Sequence, residues 1–500
     1  MDLLSHLSAG FAVALTLANL FYCLVGVLVG TLIGVLPGIG PVATLSMLLP
    51  VTFTLSPVGA LIMLAGIYYG AQYGGSTTSI LVNLPGEASS VVTCLDGYQM
   101  ARQGRAGPAL AIAAISSFFA GTVATLLLAA VAEPMTELAL KFGAAEYFSL
   151  MTFGLIGAVV LASGSIVNAL AMVCLGLLLG LVGIDVNSGV PRYTFGLPML
   201  TDGISFITLA MGLFGVGEII ANLEKEVDRT VLTSRLRGLM PTRADLRSAF
   251  PAIVRGSAVG SFLGVLPGGG AILSSFAAYA LEKKIAADPS RFGKGAIEGV
   301  AAPESANNAG AQASFIPMLT LGIPANAVMA LMIGALIIHG IQPGPRVMTE
   351  QPALFWGVIA SMWLGNLMLL VINLPMVGLW VRLLRIPYRL LFPAILLFCS
   401  IGVYTLNNSI FDVFMTAFFG VAGYFFRKVE AEPAPLLLGF VLGPMMEENL
   451  RRALLLSRGS PAIFMERPIS AALHIMAAVL LVLVVLPTLR RKRGETFRGD

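Results

Sequence analysis

Residues 70–86 read GAQYGGSTTSILVNLPG and place polar side chains in a stretch whose apolar surroundings predict burial in a membrane. The polar side chains are those of Gln72, Ser76, Thr77, Thr78, Ser79 and Asn83, and the stretch breaks at Pro85-Gly86. Hydrocarbon cannot form hydrogen bonds with these groups, so they must face other protein groups or a polar cavity. The stretch therefore predicts a functional site inside the membrane part of the chain.

A second stretch repeats this plan. Residues 307–325 read NNAGAQASFIPMLTLGIPA, with Gln312, Ser314 and Thr320 ahead of a break at Pro324. Polar segments interrupted by proline, at matching places in two halves of a membrane chain, point to a transport site.

The composition indicates an all-α polytopic membrane protein. Of the 500 residues, 57% are hydrophobic and 11% are charged, whereas soluble domains contain about 25% charged residues. Apolar runs long enough for membrane helices recur at 109–131, 147–161, 166–184, 354–374 and 469–489. We expect about ten to twelve transmembrane helices. The first apolar run, 11–35, lacks the basic start and the cleavage site of a secretory signal, so we expect a retained helix.

Other function classes find little support in the sequence. The net charge of +4 lies in loops without a basic stripe between aromatic residues, so we expect no nucleic-acid partner. The four cysteines have no metal-binding spacing, and the three histidines are isolated. No nucleotide-binding GxxxxGK[ST] motif is present. We expect neither enzymatic activity nor a cofactor, apart from a coupling ion.

An internal duplication relates the two halves of the chain. GVLPGIGP at 34–41 returns as GVLPGGGA at 264–271, a shift of 230 residues. Pro85 pairs with Pro324 at a shift of 239, and Ser165 pairs with Ser409 at a shift of 244. A slowly growing offset is typical of a duplication with small insertions. We therefore divide the chain into a first membrane repeat (1–220), a linker (221–250), a second membrane repeat (251–489) and a tail (490–500).

The charges of the loops predict that the two copies have opposite orientations. Residues 51–57 carry no charge, whereas their counterpart in the second copy, 282–294, carries four basic residues. Residues 133–146 hold three Glu and one Lys, whereas their counterpart, 381–389, holds three Arg. By the positive-inside rule, equivalent loops then lie on opposite sides of the lipid bilayer. Inverted repeats are an architecture of secondary transporters. The linker and the basic tail are expected on the cytoplasmic side.

The breaks supply backbone groups for an anionic ligand. A Pro-Gly break starts a new half-helix, whose unpaired N–H groups and partial positive charge favour a carboxylate. Neutral side-chain donors beside the break hold a carboxylate at a smaller desolvation cost than buried arginine. The predicted substrate-binding residues are Gly38, Gly40, Ser76, Thr77, Thr78, Asn83, Pro85, Gly86, Gly268, Gly269, Gly270, Asn307, Asn308, Gln312, Pro324 and Asn326. For any one break or hydroxyl, an ordinary kink or helix packing is the alternative.

Four acidic residues adjoin the broken segments. Glu87, Asp96, Glu298 and Glu304 are candidates to carry a proton, or to hold Na⁺ together with unwound carbonyls near the broken hairpins. A helix cap or a place at a water-filled mouth is the alternative for each.

Three stretches carry a resemblance to a known family. They are GVLPGIGP, YYGAQYGGSTTSILVNLPGEASSVVTCLDGYQMARQGRAGPALA at 68–111 and GAIEGVAAPESANNAGAQASFIPMLTLGIPANAVMALMIGALIIHGIQPGP at 295–345. Over nearly its whole length, the chain resembles the large membrane subunit of the tripartite tricarboxylate transporter family. The resemblance implies a bacterial inner-membrane permease driven by a Na⁺ or H⁺ gradient. It also implies a small four-helix membrane subunit, a periplasmic solute-binding protein, and an elevator-like mechanism with broken hairpins.

One departure from the family concerns the second break. The family's tip reads GIPG before a small polar residue, whereas this chain has Pro324-Ala325-Asn326. Either the substrate differs from citrate or this tip contacts it less closely. Citrate, another di- or tricarboxylate and an aromatic carboxylate all fit the predicted donors. A carrier or exporter that needs no binding protein, a channel, and an assembly protein are the competing functions.

Overall fold

A computed structural model describes residues 3–36, 40–162, 165–185, 188–224, 240–266, 270–383 and 388–496. The predicted site residues Gly38, Gly268 and Gly269, and most of the predicted linker, lie outside these ranges.

The described chain is almost entirely helical, which confirms the predicted all-α class. Its first ten helices are α1 Leu3–Ala14, α2 Leu17–Val35, α3 Pro41–Thr52, α4 Pro57–Val82, α5 Val91–Arg102, α6 Ala106–Leu140, α7 Ala144–Leu161, α8 Ile166–Gly180, α9 Phe206–Ala210 and α10 Gly217–Leu223. The others are α11 Arg243–Val265, α12 Gly270–Ile285, α13 Glu298–Ala313, α14 Phe315–Leu321, α15 Ala327–Ile338, α16 Arg346–Glu350, α17 Pro352–Asn373, α18 Val377–Leu383, α19 Tyr388–Asn407, α20 Ile410–Lys428, α21 Pro433–Leu456, α22 Ile463–Glu466 and α23 Pro468–Thr496.

Short elements complete the fold. Single 3₁₀ turns lie at Ala88–Ser90, Pro198–Leu200 and Pro289–Arg291, and a π-helix at Met211–Val216 joins α9 to α10. Strands β1 (Gly183–Ile184) and β2 (Pro191–Arg192) pair antiparallel.

Six helices in the described part of the chain are long and apolar enough to cross a membrane. They are Leu17–Val35, Ala106–Leu140, the joined segment Phe206–Leu223, Arg243–Val265, Pro352–Asn373 and Ile410–Lys428. Six shorter apolar helices of 10–17 residues accompany them. All five apolar runs identified in the sequence lie mainly in helices (α6, α7, α8, α17 and α23). The chain is therefore a multi-pass membrane protein, while ten to twelve crossings stay a prediction.

Two helix pairs that the predicted duplication relates pack in an equivalent way. In the first pair, α2 approaches α4 so closely that a Cβ on Gly30 would lie 2.4 Å from the carbonyl oxygen of Ile67. In the second pair, α11 approaches α13, and a Cβ on Gly260 would lie 2.3 Å from the carbonyl oxygen of Ala306. The glycines are related by the shift of 230 residues and the contacted residues by the shift of 239. Glycines four residues to either side make the same approach in each pair, which is a small-residue packing typical of membrane helices.

The described chain forms two compact units. The first contains residues 1–137 and 205–425, and the second contains 138–204 and 426–500. Each unit takes segments from both predicted repeats, so the compact units cut across the division at 1–220 and 251–489. That division stays a prediction about duplicated copies.

The second unit is held by close helix packing and buried ion pairs. A Cβ on Gly176 of α8 would lie 2.1 Å from the Leu436 carbonyl oxygen of α21. The buried Glu146 carboxylate accepts from Arg467 Nε at 2.5 Å. The predicted substrate-binding and ion-coupling residues that the structure describes lie in the first unit.

Candidate functional site

The first polar stretch is a regular helix that breaks only at its end. In α4, every residue from Gly59 to Val82 is buried. Asn83 follows in the left-handed conformation, with φ 58° and ψ 29°, and its side chain is exposed. The chain then turns through Pro85 and Gly86. A Cβ on Gly86 would lie 1.9 Å from the Gly34 carbonyl oxygen, so only glycine lets this tip pack against the end of α2.

The second break has the same backbone plan. α14 ends at Gly322, which is left-handed with φ 72° and ψ 23°, and Pro324 follows two residues later. Asn326 then caps α15 by accepting from the Met329 N–H at 3.0 Å. Asn83 and Gly322 are related by the shift of 239 residues, and so are Glu87 and Asn326. In both copies, a left-handed residue, a proline and an extended cap residue stop one helix and start the next.

The broken ends of the two copies lie together. A Cβ on Gly270, the first residue of α12, would lie 3.4 Å from Asn326 Nδ2. Ser275 of α12 donates to the backbone oxygen of Ser89, in the first tip, at 2.8 Å. Gly40 precedes α3 in extended conformation, and no described atom lies within 4 Å of where its Cβ would be. The starts of α12 and α15 thus meet beside the first tip.

Polar side chains of α4 face the second copy. Ser76 Oγ lies 2.5 Å from Glu304 Oε2 of α13, within hydrogen-bonding distance. Thr78 Oγ1 donates to the Val35 carbonyl oxygen at 2.7 Å, which ties α4 to the end of α2. Gln72 Oε1 accepts from Ser89 Oγ at 2.7 Å. One predicted residue of α4 therefore reaches the second copy, and another packs locally.

Glu304 is the centre of the polar cluster. Its carboxyl group is fully buried and is hydrogen-bonded by Ser76, by Thr93 of α5 and, at 3.5 Å, by Ser117 of α6. Asn308 donates to Ser117 Oγ at 2.7 Å. Thr93 and Ser117 were not among the site residues predicted from the sequence. The signal for Ser117 was its place beside Ser116 within the apolar run 109–131.

Two amides of α13 carry unsatisfied groups. Asn307 Nδ2 and Gln312 Oε1 are buried and make no hydrogen bond with any described residue. A buried donor without a partner costs about 1–3 kcal/mol, so such atoms mark places where a ligand can form hydrogen bonds. Asn307 follows Glu304 by three residues, hence on the same face of α13.

The other acidic candidates have different surroundings. Asp96 Oδ1 accepts the backbone N–H groups of Gly293, Gly295 and Ala296 at 2.8–2.9 Å, and its Oδ2 accepts from Tyr279 at 2.9 Å. Asp96 therefore fixes the loop before α13. Glu298 pairs with the half-exposed Arg291 at 3.2 Å. Glu87 occupies the cap position of the 3₁₀ turn Ala88–Ser90 and is buried.

Space in the cluster is small in this conformation. A cavity of about 10 Å³ is lined by residues that include Tyr73, Ser76, Thr77, Ser117 and Asn373. That is about the room that one water molecule needs, so the cavity is closed to a tricarboxylate. No group of three or more His, Cys, Asp or Glu side chains in the described ranges could hold a metal ion.

Comparisons with known proteins agree with the resemblance seen in the sequence. The profile of the family described as Tripartite tricarboxylate transporter TctA family matches residues 20–438. The chain is 59% identical over 497 residues, 99% of each chain, to an Agrobacterium vitis protein described as "Uncharacterized 52.8 kDa protein in TAR-I ttuC' 3'region". It is 60% identical over 241 residues, 48% of this chain and all of the relative, to "Uncharacterized protein in TAR-II ttuC' 3'region" of the same organism.

No solved structure matches the chain. The family is one of transporters rather than enzymes. With the family profile covering most of a multi-pass helical chain, the chain belongs to the tripartite tricarboxylate transporter TctA family, which supplies the large subunit of these transporters.

Proposed function

We propose that this chain is the permease subunit of a secondary transporter that imports tricarboxylates or related carboxylates in a binding-protein-dependent manner, driven by a Na⁺ or H⁺ gradient. One observation carries the proposal: the starts of α12 and α15 lie together beside the first tip, and uncharged hydrogen-bond donors are buried nearby. Helix starts at Gly270 and Asn326 favour an anion. Asn307 Nδ2, which has no hydrogen-bond partner among the described residues, lies on a neighbouring helix.

The chemistry of this cluster suits a ligand that must bind and leave. Among the described residues, no arginine or lysine forms an ion pair within it. Hydroxyl and amide donors pair with a carboxylate without the strong attraction of a buried ion pair. The small cavity fits a closed state, and binding then needs movement of the broken hairpins. We therefore propose alternating access by an inverted repeat with elevator-like motion.

Family membership motivates the partners. We propose that the chain works in the bacterial inner membrane with a small four-helix membrane subunit and a periplasmic solute-binding protein. The binding protein delivers the carboxylate, and the ion gradient supplies the driving force.

The test is uptake of radiolabelled citrate, malate, succinate and benzoate into proteoliposomes. The vesicles hold this chain with its small subunit, and the cognate binding protein is added outside. We expect accumulation of at least one carboxylate that needs both an ion gradient and the binding protein. Equilibration without a gradient would indicate a channel or uniporter, and accumulation without the binding protein would indicate an independent carrier.

A variant tests the site itself. Asn307→Ala removes the Nδ2 donor that has no partner among the described residues. We expect a loss of apparent affinity of about ten- to hundred-fold, since a hydrogen bond to a charged group contributes about 1.5–3 kcal/mol. Asn168→Ala is the control, because Asn168 lies in the second compact unit and bonds a backbone oxygen at 3.1 Å. Equal affinity in both variants would remove Asn307 from the site.

A further inference from the structure

The buried acidic residues of the described chain differ in what balances their charge. They are Glu87, Asp96, Glu146, Asp185, Glu282 and Glu304. Three of them face arginine: Glu146 pairs with Arg467 at 2.5 Å, Asp185 with Arg451 at 3.1 Å, and Glu282 with Arg255 at 2.5 Å. Such partners can only donate, so they bind the ionised carboxylate.

A fourth buried acid, Asp96, accepts three backbone N–H groups from residues 293–296. The fifth, Glu87, stands at the cap position before Ala88–Ser90, and the hydroxyl of Ser89 contacts its carboxyl group. Backbone N–H groups are donors only, whereas a hydroxyl can donate or accept. The hydroxyl partner of Glu87 lies within the same tip, two residues along the chain.

Glu304 differs from these five acids because it contacts hydroxyls of three other helices. It is the seventh residue of α13, away from either helix end, and no cation pairs with it among the described residues. On other helices, its carboxyl contacts are the hydroxyls of Ser76, Thr93 and Ser117, and on α13 itself Asn307 lies beside it. A hydroxyl can donate to a carboxylate and can also rotate to accept from a protonated carboxyl. Glu304 is thus a buried acid whose partners serve both protonation states.

Ser76 and Glu304 are close enough to share a hydrogen bond. Ser76 Oγ and Glu304 Oε2 are 2.5 Å apart, which is a hydrogen-bond distance for a hydroxyl and a carboxyl group. Two oxygens bound at right angles to one hard cation at about 2.4 Å would be about 3.4 Å apart. A proton fits between the two groups as they stand, whereas a shared metal ion needs their oxygens to move about 1 Å apart.

The position of Glu304 connects the two copies of the repeat. It belongs to α13, whereas its three hydroxyl partners belong to α4, α5 and α6. The cavity of about 10 Å³ is lined by Ser76 and Ser117, so it reaches two of these partners. A change in the protonation of Glu304 thus changes hydrogen bonds that join α13 to the first copy.

The titratable groups around Glu304 leave its charge unbalanced. The titratable and charged groups on the elements packed against α13 are Tyr68, Tyr69 and Tyr73 on α4, Glu87 at the first tip, Cys94, Asp96, Tyr98 and Arg102 on α5, Arg243, Asp245, Arg247 and Arg255 on α11, and Tyr279, Glu282, Lys283 and Lys284 on α12. Arg255 is already paired with Glu282, and Tyr279 with Asp96. A carboxylate with no opposite charge is costly in a membrane interior, so Glu304 needs a cation of its own whenever it is ionised.

We propose that Glu304 carries the coupling proton: its carboxylate binds H⁺ on the outer side and releases H⁺ on the inner side, together with the carboxylate substrate. The inference rests on the proposed function and names its coupling ion. The step is a reversible O–H bond formation between Glu304 and a proton from water, and no other reactant is needed.

The experiment uses the three-component proteoliposomes with the same carboxylate panel. Uptake is driven either by an acidic exterior without Na⁺, or by an inward Na⁺ gradient at equal pH, and a pH dye inside the vesicles reports proton entry. For the wild type, we expect accumulation with the acidic exterior and proton entry that depends on the substrate.

The decisive variant is Glu304→Gln, which resembles the protonated side chain and cannot release a proton. We expect at least tenfold less accumulation under the pH gradient and no proton entry, and exchange of internal for external carboxylate is measured in the same vesicles. Glu448→Gln is the control, because Glu448 is exposed and pairs with Arg452 on the surface of α21. We expect its uptake and exchange to equal the wild type.

Other outcomes separate the two proposals. No accumulation of any carboxylate by the wild type, under either gradient, would overturn the proposed function. Two outcomes would overturn the assignment of the coupling proton to Glu304 and leave the proposed function intact. The first is accumulation by the wild type with the Na⁺ gradient only, and the second is accumulation by Glu304→Gln under the pH gradient. If Glu304→Gln also loses exchange, Glu304→Asp, which keeps a carboxyl group, is measured in the same way. Accumulation driven by the pH gradient in Glu304→Asp supports the proton assignment, and a lack of such accumulation refutes it.

Discussion

Gly260→Ala is expected to move α11 away from α13, the helix that carries Glu304. The new Cβ would lie 2.3 Å from the Ala306 carbonyl oxygen and 2.8 Å from the Ala309 Cβ. Ordinary contact begins near 3.4 Å, so α11 and α13 must move apart by roughly 1 Å, because backbone atoms cannot rotate away.

The size of the effect follows from this displacement. Overpacking of this kind costs about 1–3 kcal/mol, and the better helix propensity of alanine offsets up to about 1 kcal/mol of it. We expect the apparent melting temperature to fall by several degrees. Ala306 lies between Glu304 and Asn307 in sequence, so we also expect carboxylate uptake to fall by up to about 100-fold, as a 1 Å misplacement of functional groups can cause.

Both effects are measured on the purified complex. Unfolding is followed by tryptophan fluorescence in detergent, and uptake is measured in proteoliposomes. Gly378→Ala is the matched control, because Gly378 lies in α18 with no described atom within 4 Å of a Cβ, and we expect its melting temperature to stay equal or rise. A Gly260→Ala protein that melts and transports like Gly378→Ala would refute the close-packing argument.

Two further predictions concern the backbone of the first tip and the orientation of the loops. Asn83→Ala should lower the free energy of unfolding by about 1–2 kcal/mol and reduce uptake, whereas Asn83→Gly should preserve both, because an alanine is strained at φ 58° and a glycine is not. Loss of uptake in a stable glycine variant would instead indicate that the Asn83 amide binds substrate. Residues 54 and 290 are both exposed. In a cysteine-free background, a thiol reagent that cannot cross the membrane should label Thr54→Cys only from outside and Ser290→Cys only from the cytoplasm. Labelling of both cysteines from the same side would refute the inverted repeat.

The helical class and the two breaks could be predicted because they depend on local properties. Proline at 85 and 324 removes a helical hydrogen bond wherever it lies, and apolar runs of membrane length have few alternatives to helix. The breaks do occur directly ahead of these prolines, at Asn83 and Gly322. The duplication was also visible, because a copied segment keeps its spacing.

The polar cluster could be predicted only in part. Glu304 and Ser76 were identified from their types and their places near the breaks, but their pairing at 2.5 Å across 228 positions depends on how α4 meets α13. Thr93 and Ser117 were missed, because single hydroxyls in helices are more often packing groups. Asp96 lay near the breaks in sequence, yet it holds the backbone of residues 293–296.

By itself, the sequence determined a multi-pass helical protein, the family and the places where helices stop, since these follow from composition, sequence motifs and backbone chemistry, and its repeated motifs predicted a duplication. Only the tertiary structure decided which buried acids pair with arginine or with backbone N–H groups, and that Glu304 contacts hydroxyls of three other helices. The charge balance of a buried carboxyl is set by atoms within a few ångströms, and here those atoms come from helices hundreds of residues apart in the chain.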